Sequence, residues 1–172
     1  LEGWQSFSVQ ERMFLAVIID ITERKQAQEA LQKSETRFRT LFEQAGVGVA
    51  VIETKTGRFA EINEKYCDIL GYTKEEMLRT TFQAITHPDD LQTDLDNMEL
   101  LRQGAISTFS MEKRYFHKNG KIVWVNLTVS PLGKPGGLID FHVSIVENIT
   151  ARKQAQEIAR TYAERLQVLS KQ

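Results

Sequence analysis

The chain has 172 residues, 41% of them apolar and 26% charged, with a formal net charge of -1. This is the composition of a folded globular protein of ordinary domain size. The balanced charge argues against a nucleic-acid partner, and no stretch approaches the roughly 18 apolar residues of a membrane segment. The single cysteine, Cys67, excludes an internal disulfide framework and points to a reducing, cytoplasmic setting. No secretory signal pattern opens the chain, so the sequons at Asn126 and Asn148 are read as chance.

In chain order, residues 13–21 form an apolar run that reads as a strand, followed by Thr22 as a helix N-cap and a charged helix. The segment Ile21-Thr-Glu-Arg-Lys-Gln-Ala-Gln-Glu29 recurs as Ile149-Thr-Ala-Arg-Lys-Gln-Ala-Gln-Glu157, about one domain length later. The repeat predicts four parts. Residues 1–22 are the last strand of a preceding unit, 23–45 a linker helix, 46–150 one complete domain, and 151–172 a second signalling helix. In the first helix Ala27, Leu31, Ser34, Phe38, Leu41 and Ala45 step by 4, 3, 4, 3, 4. In the second Ala155, Ala159, Tyr162, Leu166 and Leu169 step by 4, 3, 4, 3. That is the seam of a two-stranded coiled coil, so a homodimer through these helices is expected. The alternative for the Phe38–Phe42 end is a helix lying on its own domain.

Between the helices, residues 47–52 and 58–63 read as a hairpin turning at Gly57. Residues 64–70 read as a helix stopped by Gly71. Thr73-Lys-Glu-Glu76 is a capping box opening a short helix through Met77 and Leu78. His87-Pro88 breaks the chain, and Asp89 or Asp90 is expected to cap a longer helix through Leu91, Leu95, Met98 and Leu101, ended by Gly104. Three strands follow, at 108–117, 121–129 and 138–149, with turns at Asn119-Gly120 and Lys134-Pro-Gly-Gly137. Strands on either side of a run of helices give an α+β domain. In the middle strand Val123, Val125, Leu127 and Val129 alternate with Ile122 and Trp124, so both sheet faces should be covered.

These elements carry a resemblance. Ile62-Asn63, Tyr66-Cys-Asp-Ile-Leu-Gly-Tyr-Thr-Lys-Glu-Glu-Met-Leu78 and His87-Pro-Asp-Asp-Leu91 resemble the PAS (Per-Arnt-Sim) family. So do Glu112-Lys-Arg114, Lys118-Asn-Gly120 and Trp124-Val125. The closing Glu147-Asn148-Ile149-Thr150 is similar to the family's terminal Asp-Ile-Thr, or PAC-type, motif, which Asp20-Ile21-Thr22 matches fully. Asn148 departs from it, which removes any ion pair made through that aspartate. The resemblance implies a five-stranded antiparallel sheet with helices on one face and a pocket between them. It also implies signal transfer through the flanking helices to an output domain, in a bacterial sensory protein such as a histidine kinase of a two-component system or a diguanylate cyclase.

No catalytic constellation is present: there is no phosphate loop, HExxH, CxxC pair, kinase phosphoacceptor or cyclase motif. The reactive cysteine of flavin-binding light sensors lies in Gly-x-Asn-Cys-Arg-Phe-Leu-Gln. Here the neighbours are Lys65-Tyr66-Cys67-Asp68, so Cys67 reads as structural. Haem-binding relatives place a ligand on the long helix, which here has no His and only Met98 as a residual candidate. His87 and His117 read as turn residues, and His142 as facing either pocket or solvent. The cofactor, if any, stays unknown, and no metal site is expected.

The candidate pocket lining is Tyr66, Ile69 and Leu70 from the first short helix and Leu95, Met98 and Leu101 from the long one. From the sheet come Phe109, Met111, Trp124, Asn126 and Phe141. Asn126 is the polar member that would orient a ligand. The alternative is that these side chains only fill a core. Two functions therefore stand side by side: a small-molecule or cell-state sensor, and a ligand-free dimerisation and relay spacer.

Overall fold

The computed structural model describes residues 8–133 and 140–169. The Lys134–Gly137 turn and residues 1–7 lie outside them. The chain divides into two compact units, residues 1–44 and 45–172.

The first unit is one helix, α1 (Val9–Glu43), opened by a capping box between Ser8 and Glu11. This corrects the expected strand over residues 13–21. A strand satisfies its backbone only against a neighbour, whereas a helix does so internally. Thr22 is consequently mid-helix, not an N-cap: its hydroxyl donates to the Ile18 carbonyl at 2.8 Å. Leu31, Phe38 and Leu41 are exposed along α1, and Ala45 lies past its Gln44 cap, so the expected seam ends at Leu41.

The second unit begins with strands β1 (Gly48–Glu53) and β2 (Phe59–Ile62). Helices α2 (Glu64–Leu70), α3 (Lys74–Leu78), α4 (Phe82–Ile85) and α5 (Pro88–Arg102) follow. Strands β3 (Phe109–Phe116), β4 (Ile122–Leu132) and β5 (Phe141–Asn148) complete a sheet of order β2-β1-β5-β4-β3, antiparallel throughout. Helix α6 (Thr150–Leu169) leaves its end. The fold is thus α+β, as the order of elements predicted.

Local chemistry explains the boundaries. The Asn63 side chain accepts from Tyr66 N–H and caps α2, and Gly71, at φ 76°, closes it. A Cβ on Gly71 would fall 2.3 Å from the His117 ring, so this glycine is required for both conformation and space. Thr73 and Glu76 form the predicted capping box of α3. The four-residue α4 was not expected; Thr81 caps it by accepting from Ala84 N–H. The cap of α5 is His87, whose Nδ1 accepts from Asp89 N–H, with Pro88 in the first turn. That corrects the expected Asp89 or Asp90 cap and leaves Asp90 free to bind Arg114.

The β3–β4 turn is also longer than a two-residue hairpin. Phe116 pairs with Ile122, and only Gly120 has positive φ (82°). A two-residue type I′ turn would need positive φ at Asn119 as well.

The core lies between α2–α5 and one sheet face, where Ala50, Ile52, Val125, Leu127, Val129 and Val146 meet Tyr66, Leu70, Met77 and Leu101. The opposite face is covered only in part. Trp124 is half-buried, while Phe141 and Ile145 remain 39% and 40% exposed.

Candidate functional site

Strand alternation sends successive side chains of β3 to opposite faces. Lys113 and Tyr115 point into the core, while Glu112 and Arg114 face outward. Lys113 is 0% exposed and pairs with Asp94 of α5, itself 2% exposed. The Lys113 ammonium also donates to Thr86 Oγ1 at 3.2 Å and lies 4.3 Å from the Tyr115 ring centroid. Burying two charges costs several kcal/mol per ion unless both are well bonded, and this geometry supplies the bonds.

Around the pair, the Tyr66 and Tyr115 hydroxyls are 3.0 Å apart. Burial drives both phenols upward from their ordinary value, Tyr66 further by its neighbour Tyr115, and Tyr115 by the Asp94 carboxylate. His142, also buried, contacts Thr54 Oγ1 through Nδ1 at 3.3 Å. Burial lowers its pKa to about 4, and the Lys113 charge adds to the effect. The Ser144 hydroxyl lies close to Tyr66, where it favours the ionised phenol, but makes no hydrogen bond of normal geometry. Asp94, Lys113, Tyr115, His142 and Ser144, with Phe82, Met98, Ile52, Leu127 and Val129, line a cavity of ≈ 10 Å³. That is on the order of the space one water needs.

The sequence candidates divide between the faces. Tyr66, Ile69, Leu70, Met98, Leu101 and Phe109 are buried in the core, and Leu95 and Met111 pack against it. Of these, Met98 lines the cavity. Trp124, Asn126 and Phe141 lie on the outer face, a correction that follows from strand parity: Trp124 pairs with outward Arg114, and Asn126 with outward Glu112. Lys113, Asp94, Ser144 and Thr86 were missed. The signal was present for Lys113, since Phe109, Met111, Lys113 and Tyr115 share one face at period 2.

The outer face carries the junction with α6. Ile149 is buried and its N–H donates to the Trp124 carbonyl at 2.9 Å. The Thr150 hydroxyl accepts from Trp124 N–H at 3.0 Å. Asn148 Oδ1 accepts from Thr150 N–H at 3.0 Å, so it turns the chain into α6 without an ion pair. Glu112 instead makes the ionic contacts, to Lys153 and to Arg152 at 2.8 Å. Lys153, then Arg152, holds the Glu112 carboxyl below its ordinary range. Lys153 and Arg114 both stack on Trp124, at 4.8 and 5.3 Å from its ring. Arg114 in turn binds Asp90 at 2.7 Å, at the start of α5. Glu147 is exposed beside this junction, and Asp20 and Ile21 are exposed on α1.

Three consecutive residues therefore tie three places together. Glu112 holds α6, Lys113 holds α5 from inside the core, and Arg114 holds the start of α5 and the Trp124 ring. Among the described residues no cluster of metal-ligating side chains occurs, and no helix is long and apolar enough to cross a membrane.

Residues 59–142 match the family described as the PAS fold. The chain is 37% identical over 136 residues to the probable diguanylate cyclase DgcE of Escherichia coli K12, covering 79% of this chain and 12% of that protein. It is 28% identical over 133 residues to the sensor histidine kinase TmoS of Ectopseudomonas mendocina, covering 77% of this chain and 14% of that protein. The chain thus spans about an eighth of the length of these relatives. Among solved structures, a PAS domain from Colwellia psychrerythraea superposes with a TM-score of 0.60 at 18% identity, over 67% of this chain and 97% of that one. The LOV protein of Rhodobacter sphaeroides gives 0.60 at 18% identity, over 74% and 73%.

Proposed function

The chain carries a PAS domain of the kind found in sensor kinases and diguanylate cyclases, and from that premise we propose that it relays the state of its α5–sheet interior to α6, and through α6 to an output domain. The observation that carries this reading is the Glu112-Lys113-Arg114 triplet, which binds α5 and α6 from one strand. A signal that loosens α5 acts on Lys113 and Arg114, and the backbone between them and Glu112 is continuous. A ligand shifts such an element only by binding its two states unequally.

Helix α6 has a second face. Ile158, Tyr162, Leu166 and Leu169 are exposed along it. Lys153, which holds the sheet, lies about 160° around the helix from Ala155, so the apolar stripe points away from the domain's own clamp. A second copy of the chain pairing in parallel would bury the stripe, giving a homodimer whose coiled coil carries the signal. The setting is cytoplasmic, and the output is a kinase or cyclase, as in the relatives. Catalysis is assigned to that output and none to this domain.

The test is an insertion series in the parent protein, between Gln154 and Ala155, beyond the clamp. One residue rotates everything downstream by about 100° and scrambles regulation of the output. Seven residues restore the heptad phase and largely restore regulation. Equal behaviour of the two insertions would refute relay by helical register.

The ligand-free spacer reading has its own support, since the interior is filled by the chain's own side chains down to a cavity of ≈ 10 Å³.

A further inference from the structure

We propose that the interior is a binding site for a short aliphatic monocarboxylate, with Lys113 as its cationic anchor and Asp94 as a built-in competitor that occupies the anchor until the ligand displaces it. The proposal rests on the sensory reading above and names its ligand class.

The two members of the ion pair are held very differently. Lys113 sits on β3, which is paired with β4 from Phe109 to Phe116, and its side chain is 1% exposed. That ladder fixes the lysine backbone in place. Asp94 sits on α5, which ends at Gln103 and Gly104, where φ is 71° and nothing lies within 4 Å of a built Cβ. A shift of α5 moves the carboxylate and leaves the ammonium in place. The site is therefore a fixed cation with an exchangeable anion.

The remaining lining fits a carboxylate with a short alkyl tail. The Ser144 hydroxyl is 1% exposed, lines the same cavity as Lys113 near Tyr66, and makes no hydrogen bond of normal geometry, so a donor is available to the ligand. Thr86 Oγ1 and the Tyr115 ring flank the ammonium. Ile52, Met98, Leu127 and Val129 supply the apolar wall. The cavity of ≈ 10 Å³ is too small for a ligand beside Asp94, but the space of the departing carboxylate adds to it. This limits the ligand to about the size of acetate or propionate. A ligand amine would instead have to displace the Lys113 ammonium from Asp94, Thr86 and the Tyr115 ring together, so the anion is the favoured class. Entry of the anion frees Asp94 to move outward with α5, the element tied to Lys113 and Arg114, so occupancy and relay share one step.

The test uses the full chain and its Asp94→Ala variant, which vacates the anchor, with sodium propionate as the probe. Sodium chloride at equal ionic strength and propionamide serve as comparisons. At about tenfold over its Kd, propionate raises the melting temperature of Asp94→Ala by roughly 5–6 °C beyond chloride or propionamide. The double variant Asp94→Ala/Lys113→Met loses that response, and the wild type shows a smaller one because Asp94 competes. A propionate response no greater than that of chloride or propionamide, or one that survives loss of Lys113, overturns the proposal. Should Asp94→Ala fail to fold, amide spectra of the wild type titrated with propionate decide. Shifts centred on Thr86, Lys113 and Ser144 support the site, and their absence there overturns it. Binding is read in this chain and relay in the parent protein, so failure of one is distinguishable from failure of the other.

Discussion

Replacing Lys113 with Met tests whether the interior is organised by its ion pair. Lys113 and Asp94 are 0% and 2% exposed, so neither charge is shared with solvent. At about 4 Å and an effective dielectric constant of roughly 20, two unit charges attract by about 4 kcal/mol, and removing one strands the other at a desolvation cost of several kcal/mol. Lys113→Met should therefore destabilise the domain by about 3–5 kcal/mol. For a domain of this size that lowers the melting temperature by more than roughly 12 °C. Lys113→Met combined with Asp94→Leu fills the same space with apolar groups, and recovers most of the loss, because burying a pair of charges has little net benefit over well-packed hydrophobic residues. Urea unfolding of wild type, both single variants and the double variant closes the cycle. A single variant within about 1 kcal/mol of wild type, or a double variant as unstable as the sum of the singles, would refute the claim that the two charges depend on each other.

Two further predictions concern stability. Gly120→Val places a β-branched residue at φ 82° in the β3–β4 turn and should cost about 1–2 kcal/mol, read as a lowered melting temperature; unchanged melting would contradict the turn geometry. His142 gives a pH dependence. The unfolded chain binds a proton on this ring near its ordinary 6.5, whereas the folded domain resists until about pH 4. The stability it contributes is complete above 6.5 and is lost as pH falls toward 4. Between pH 7 and 5 unfolding should become easier by about 2 kcal/mol, and His142→Gln should flatten that slope; an unchanged slope would show that His142 is not held neutral.

Much of the fold was legible because its signals were local. Asn63, Gly71, Thr73 and Glu76 act through neighbours a few residues away, and each sits where capping chemistry predicts. The alternation of β4 correctly sent Val123, Val125, Leu127 and Val129 to one face. The candidate site was less legible because its logic is tertiary. Trp124 and Asn126 were assigned to the pocket by their chemistry, against the parity of their own strand, which places them with Arg114 and Glu112. Lys113 is not legible because a lysine in a strand ordinarily faces water; what stabilises its burial is Asp94, nineteen residues away on another element, with Thr86 and the Tyr115 ring. Residues 13–21 show the opposite failure. Their apolar run suits a strand, but a strand is decided by its partners, and among the described residues of its own unit this segment has none. The repeat at Ile149 therefore has strand before it and helix after it, while the same residues from Ile21 lie inside α1.

The central claim is that the interior and α6 are coupled through one strand. Amide hydrogen exchange at Ile149 and Lys153, compared between wild type and Asp94→Ala, tests it most directly. These amides donate to Trp124 and to Ile149 at the base of α6, on the far side of the sheet from Asp94. Faster exchange at both in the variant, exceeding the change at the β1–β2 turn, is the result the account predicts. Exchange at the base of α6 that follows only the global loss of stability would contradict it.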